Sequence, residues 1–155
     1  MTQDHTVLLV EDNPDDVMLV RRAFGRLHLA NPLQVVNNGQ SAIDYLSGAG
    51  EYADRVAYPL PVVVLLDLKL PGVNGLEVLS WIKTQDGLRR IPVVVLTTSD
   101  LREDVNSSYD LGVNSYLRKP VSFDSLVDML SRLDVYWLLL NETPDVSPTS
   151  ERGAG

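Results

Sequence analysis

The chain of 155 residues has no cysteine and only two histidines, His5 and His28. Disulfides, thiolate zinc sites, iron–sulfur clusters and a cysteine nucleophile are therefore excluded, and too few imidazoles remain for a histidine-rich metal centre. Positive charge is also scarce, with 13 Lys and Arg against 21 Asp and Glu and a formal net charge of −8. Such a chain repels nucleic acid and anionic membrane surfaces, so neither is expected as a partner. Anything phosphorylated must be held through a metal or a local positive group. Long apolar runs are missing too. The longest clean stretch, residues 60–66, contains Pro61 and stops at Asp67, well short of the roughly 18 residues that a membrane helix requires. Met1 to His5 carries no basic segment, and the apolar run behind it meets Glu11 and Asp12 too soon for a signal peptide. A cytoplasmic location is the expectation.

What is present is a core: 45% of the residues are hydrophobic and 22% charged, the balance of one compact domain. Short runs rich in Val, Ile and Leu occur at 7–10, 33–36, 62–66, 92–96 and, more polar, 114–117. Each is bounded by turn residues and reads as a strand. Between them lie segments of helical period, carried by Val17, Val20, Phe24 and Leu27, then by Leu76, Leu79 and Ile82, then by Leu101, Val105 and Tyr109. The near-continuous apolar character of the third and fourth runs suits strands covered on both faces, as in a parallel sheet with crossover helices. Asn13-Pro14 reads as an N-cap followed by Pro at the first helical position, and Asp100 with Glu103 as a capping box. Residues 47–61 form a long irregular connection. The last helix is expected to start at Ser122 and run to about residue 141, so that 5–141 is the domain and 142–155 a disordered tail. With no further folded domain expected behind it, any action on a partner would be by direct protein contact.

In an open parallel sheet, ligands bind outside the carboxyl ends of the strands. The first strand ends in Glu11-Asp12, the third in Asp67, the fourth in Thr97-Thr98 and the fifth in Arg118-Lys119-Pro120. Singly, each has an ordinary explanation as a cap, a turn residue or a solvated lysine. Together they bring three carboxylates, a hydroxyl and an ammonium to one edge. Packed carboxylates repel unless one is protonated or a cation lies between them. Oxygen-only donors suit Mg²⁺, which is commonly held by one or two carboxylates together with phosphate oxygens. Such a site fits phosphoryl transfer to an Asp, a chemistry of positioning and electrostatic stabilisation.

The segments Val10-Glu11-Asp12-Asn13-Pro14, Leu65-Leu66-Asp67-Leu68-Lys69-Leu70-Pro71-Gly72, Pro92 to Thr97 and Ser115-Tyr116-Leu117-Arg118-Lys119-Pro120 resemble, in that order, the receiver domain of two-component response regulators. The resemblance covers residues 5–135. More narrowly, Glu11 to Asp16, Asn38-Gly39, Ala42 to Leu46, the long stretch to Pro61 and Tyr136-Trp137-Leu138 are similar to single-domain regulators that partner bacterial phytochromes. The resemblance implies a flavodoxin-like (βα)5 fold with strand order 2-1-3-4-5, a phosphoprotein rather than an enzyme in the ordinary sense, and a sensor histidine kinase, a bacteriophytochrome, as partner. It implies Asp67 as phospho-acceptor, with Asp12 and Asp67 as Mg²⁺ (or Mn²⁺) ligands. Glu11 would reach the ion through water, and the main-chain carbonyl of Lys69 would complete the set. Thr97 and Lys119 would contact the phosphoryl group, Lys119-Pro120 would be a cis peptide, and Tyr116 would be a rotating aromatic switch. Lys69 and Thr98 depart from the commonest family pattern, and with Ser99 they are candidates for tuning dephosphorylation.

Two rival functions remain in view. A haloacid-dehalogenase-type phosphatase needs a second Asp two residues after the first, where this chain has Lys69, and a degenerate receiver serving only as an interaction module would have lost the acceptor or the acids. Finally, Phe123, Leu126, Leu130, Leu133, Trp137 and Leu140 are spaced 3, 4, 3, 4 and 3 apart, a single apolar stripe on a helix. Trp137 and Leu140 lie beyond the expected edge of the core, which points to a homodimer through the last helix.

Overall fold

The computed structural model describes residues 5–98, 101–119 and 122–133. Five parallel strands, β1 (Val7–Val10), β2 (Leu33–Val36), β3 (Val63–Leu66), β4 (Val93–Thr97) and β5 (Ser115–Arg118), form one sheet in the order β2-β1-β3-β4-β5. The helices are α1 (Pro14–Arg26), α2 (Gly39–Ser47), α3 (Gly75–Thr84), α4 (Arg102–Asp110) and α5 (Phe123–Leu133). This is the flavodoxin-like receiver architecture expected from the sequence.

Successive strand residues point to opposite faces, and here both faces are covered. Leu8, Val10, Val64, Leu66, Val93 and Val95 pack with Ala42, Tyr45 and Leu46 of α2 and Val78, Leu79 and Ile82 of α3. Val7, Leu9, Val63, Leu65, Val94 and Leu96 pack on the other face with Val20, Ala23 and Phe24 of α1 and Leu126, Met129 and Leu130 of α5. The central strands are therefore continuously apolar instead of alternating, up to Thr97 at the end of β4.

Register places the strand ends together. Val10 pairs with both Val36 and Leu66, and Leu66 with Val95. The ladder continues one residue past the strands: Glu11 N–H donates to Val36 O at 3.0 Å, and Asp67 N–H to Val10 O at 3.0 Å. Glu11 and Asp67 are thereby fixed side by side. On the other flank, Lys119 N–H donates to Thr97 O at 2.7 Å.

Local chemistry explains most of the boundaries. Asn13 caps α1 by accepting from Asp15 N–H, with Pro14 at the first position. Asn74 and Glu77 form a reciprocal capping box at the start of α3, and the Ser122 hydroxyl accepts from Ser125 N–H at the start of α5. Val62 stands just outside β3, its N–H bonded to Thr6 O. Asn114 precedes β5, closing the start of β4 by accepting from Val93 N–H and donating to Val93 O.

Two expectations are corrected. Helix α4 begins at Arg102 with Leu101 as its N-cap and no side-chain cap bond, so the third helical position, which a capping box needs, falls on Asp104 and not on Glu103, and Asp100 itself lies outside the described residues. The period Leu101, Val105, Tyr109 is also not a core stripe. Leu101 and Tyr109 are 53% and 52% exposed, while the buried residue of α4 is Ser108. The sheet is already covered on that side by α2 and α3, which leaves α4 little apolar surface to cover.

The connection over 47–61 is also more ordered than expected. It holds a 3-10 turn at Gly50–Ala53, and Tyr45, Tyr52 and Tyr58 form a three-ring cluster with centroids 4.9–5.9 Å apart. Arg55 Nη1 donates to Tyr45 O and Tyr58 O, and its Nη2 to Leu46 O. Its guanidinium thus adds a charged donor to carbonyls in the last turn of α2, of which Tyr45 O also accepts from Gly48 N–H at 3.3 Å. Tyr45 donates its hydroxyl to Pro59 O at 2.8 Å, and burial pushes that phenol up to about 12.

Candidate functional site

The carboxyl ends of β1 and β3, which the register sets level, present Glu11, Asp12 and Asp67. One carboxylate oxygen from each lies within 4.8 Å of the others. Glu11 and Asp67 are 2% and 5% exposed, whereas Asp12 is on the surface. The donors are oxygen only, as a hard divalent cation prefers, and the exposed Asp12 side leaves room for water and a further oxygen ligand. By the chemistry of its donors, the site fits Mg²⁺ or Mn²⁺.

Lys119 enters from the end of β5. Its Nζ lies 2.6 Å from Glu11 Oε1, 2.8 Å from Asp16 Oδ2 and 3.1 Å from Asp67 Oδ2. The remaining oxygens of the two buried acids are also engaged, Glu11 Oε2 by Asn13 N–H at 3.2 Å and Asp67 Oδ1 by Lys69 N–H at 3.0 Å. The ammonium thus neutralises a pair of desolvated acids that would otherwise repel each other.

Burial raises the Glu11 carboxyl from its ordinary range to about 7, with repulsion from Asp67 adding to the rise and Lys119 opposing it. Burial also disfavours the charge on Lys119, but its bonds to Asp16 and Glu11 and the field of Glu11 and Asp67 outweigh this and hold the ammonium above its ordinary value. A cation entering the site must therefore compete with Lys119 for Glu11 and Asp67, and with a proton for Glu11.

The loop after Asp67 is shaped by glycine. Gly72 has φ +71°, and a Cβ on Gly75 would collide with the Asp67 carbonyl and Leu68. Since Gly75 N–H also donates to Leu68 O at 2.9 Å, the start of α3 presses directly on the backbone that aims Asp67.

The structure brings together Glu11, Asp12, Asp67 and Lys119, with Thr97 fully buried at the adjoining strand end. Lys69 contributes its N–H to Asp67, and its side chain is exposed. Thr98 is exposed, and Tyr116 is half-buried against the core between the sheet and α2 and α3. Ser99, Pro120, Trp137 and Leu140 lie outside the described residues. Sequence reasoning passed over Asp16. Its signal was present in the acidic run from Glu11 to Asp16, where a carboxylate in the first turn of α1 returns toward the strand end.

Residues 7–131 match the family model for the response regulator receiver domain. The chain belongs to that family. It is 46% identical over 141 residues to the probable methanogenesis regulatory protein FilR2 of Methanothrix harundinacea, covering 89% of this chain and 86% of that one. It is 41% identical over 132 residues to the response regulator Rcp1 of Synechocystis sp., covering 85% and 88%. Among solved structures, the phosphorylated cyanobacterial phytochrome response regulator RcpA superposes with a TM-score of 0.79 at 38% identity, covering 90% of this chain and 98% of that one. The Mn²⁺-bound form of Rcp1 gives a TM-score of 0.78 at 39% identity, covering 90% and 99%. Among the described residues, no helix is long and apolar enough to cross a membrane.

Proposed function

We propose that Asp67 accepts a phosphoryl group from the phosphohistidine of a sensor histidine kinase. One observation carries this reading: a buried carboxylate at a strand end has Oδ1 on the Lys69 N–H and Oδ2 on the Lys119 ammonium, within reach of two further acids. An Asp67 oxygen attacks phosphorus, an O–P bond forms, and the N–P bond breaks with its electrons returning to the imidazole. Lys119 leaves Glu11 and Asp67 to pair with the new phosphoryl oxygens, and the Thr97 hydroxyl donates to one of them. Glu11, Asp12, Asp67 and the carbonyl of Lys69 are the residues to hold Mg²⁺, which when bound neutralises charge on the group in transfer. Drawing Thr97 toward the phosphoryl group opens space for the Tyr116 ring, so that the surface around α4, β5 and α5 changes with phosphorylation.

The kinase is proposed to be of phytochrome type, on the likeness to RcpA and Rcp1, and the location cytoplasmic. FilR2 is named for a different physiology, so phosphotransfer is best compared between a bacteriophytochrome kinase and a non-photosensory one. A homodimer through the last helix, anchored by Trp137 and Leu140, completes the proposal. The test of the acceptor is intact mass after treatment with a small acyl phosphate and Mg²⁺. Wild type should gain one phosphoryl group and Asp67→Asn none; equal uptake by both rejects the assignment.

A further inference from the structure

Among the described residues, the acids whose oxygens converge as a possible cation site are Glu11, Asp12 and Asp67. Asp16 stands apart from that set, in the first turn of α1, yet its Oδ2 is 2.8 Å from Lys119 Nζ. An ammonium has three protons to donate, and here they go to Glu11, Asp16 and Asp67. Two of the three acceptors are therefore acids a cation would claim. Only Asp16 is not.

The surroundings make that third acceptor matter. Beside the ammonium lies a narrow cavity lined by Leu19, Val20, Leu96 and Leu126 together with the acids Glu11 and Asp16, so once Glu11 turns to a cation, Asp16 is the charged partner left on that lining. The Lys119 side chain is only 10% exposed, so water offers it little compensation either. The Asp16 side chain, at 30% exposed, is the most solvated of the three partners and bears the least desolvation.

We propose that Asp16 is a positioning residue: it keeps the Lys119 ammonium at the rim of the site when Glu11 and Asp67 turn to the cation, and so makes cation binding and phosphoryl capture compatible with one buried lysine. This rests on the reading of the site as a cation-dependent phospho-acceptor. Without Asp16, releasing Glu11 and Asp67 from Lys119 strands the ammonium, and the cation must compete harder.

The experiment is Mg²⁺ titration calorimetry of the full chain at pH 8, without phosphodonor, for wild type, Asp16→Asn, Asp16→Glu and Asp15→Asn. Asp15 is the control, an exposed acid one residue away whose removal changes the net charge equally. Asp16→Asn should weaken Mg²⁺ binding about tenfold, the loss of one charge-assisted hydrogen bond. Asp15→Asn should weaken it less than about twofold, as expected for a screened surface charge. Asp16→Glu should recover most of the loss. In a Lys119→Met background, Asp16→Asn should do no more than Asp15→Asn, because the residue through which Asp16 acts is gone. Equal effects of Asp16→Asn and Asp15→Asn overturn the proposal, as does an Asp16→Asn loss of the same size with and without Lys119. If Lys119→Met does not fold, rescue or its absence in Asp16→Glu decides. Failure of the wild type to bind Mg²⁺ at all would overturn the cation reading itself, and this inference with it.

Discussion

Replacing Lys119 by Met removes a cation while keeping the aliphatic length of the side chain. Among the described residues, Glu11 and Asp67 then remain with no positive side-chain partner, at 2% and 7% side-chain exposure. Breaking a buried ion pair by deleting one partner costs about 3–5 kcal/mol, and here one ammonium serves both buried acids. Protonation of Glu11, already raised to about 7 with Lys119 present, offers partial relief. The loss of unfolding free energy should therefore be about 3 kcal/mol at pH 8 without metal, and smaller at pH 5.

The sign follows from linkage. In the variant Glu11 binds more protons in the folded than in the unfolded chain, so stability falls as pH rises from 5 to 8, more steeply than in wild type. Mg²⁺ should restore much of the loss, because a cation that binds only the folded site stabilises it in proportion to its occupancy. Urea unfolding followed by circular dichroism at pH 5 and pH 8, with chelator and with Mg²⁺, reads all three effects. A loss under about 1 kcal/mol at pH 8, or a loss that neither acid nor Mg²⁺ relieves, would refute the view that Lys119 stands in for the cation.

In wild type, the raised Glu11 should contribute stability that is present below pH 4.5 and lost as pH rises through about 7, while Mg²⁺ affinity rises over the same interval and levels off above it; calorimetric titrations from pH 5.5 to 8.5 check this, and a flat affinity refutes it. Arg55→Ala should cost about 2–3 kcal/mol, since the carbonyls of Tyr45, Leu46 and Tyr58 lose a charged donor. Arg55→Lys should recover less than half of that, because an ammonium cannot reproduce the planar fork; denaturation midpoints decide both. Trp137→Ala with Leu140→Ala should lower dimer affinity about hundredfold or more if the two side chains are buried in the interface. Sedimentation across concentration tests it, and a monomeric wild type rejects that interface.

The central strands were legible because both faces of a parallel sheet are covered there, so Val7 to Val10 or Val63 to Leu66 stand out without any alternation to interpret, while the half-exposed edge strands β2 and β5 stood out less. The strand-end residues Glu11, Asp67, Thr97 and Lys119 were legible only as a set: each alone has an ordinary structural role, but a parallel sheet brings its strand ends to one edge, where they complement one another. Asp16 was not, since its link to Lys119 spans 103 residues and shows only in space. The tyrosine cluster and Arg55 were missed because 47–61 has no period, and its order comes from ring contacts and from Arg55 reaching the carbonyls at the end of α2. The stripe Leu101, Val105, Tyr109 misled in the opposite sense. Its period is genuine, but burial depends on whether a neighbouring surface remains to be covered, and sequence spacing carries no information about that.

The most direct test of Asp67 as acceptor is reductive trapping. After treatment with an acyl phosphate and Mg²⁺, borohydride reduces an aspartyl phosphate to homoserine, which peptide mass spectrometry locates. Homoserine at position 67 alone, absent without donor or with chelator, is the expected result. Homoserine at position 12, or phosphate retained on a hydroxyl side chain with position 67 unmodified, would contradict it.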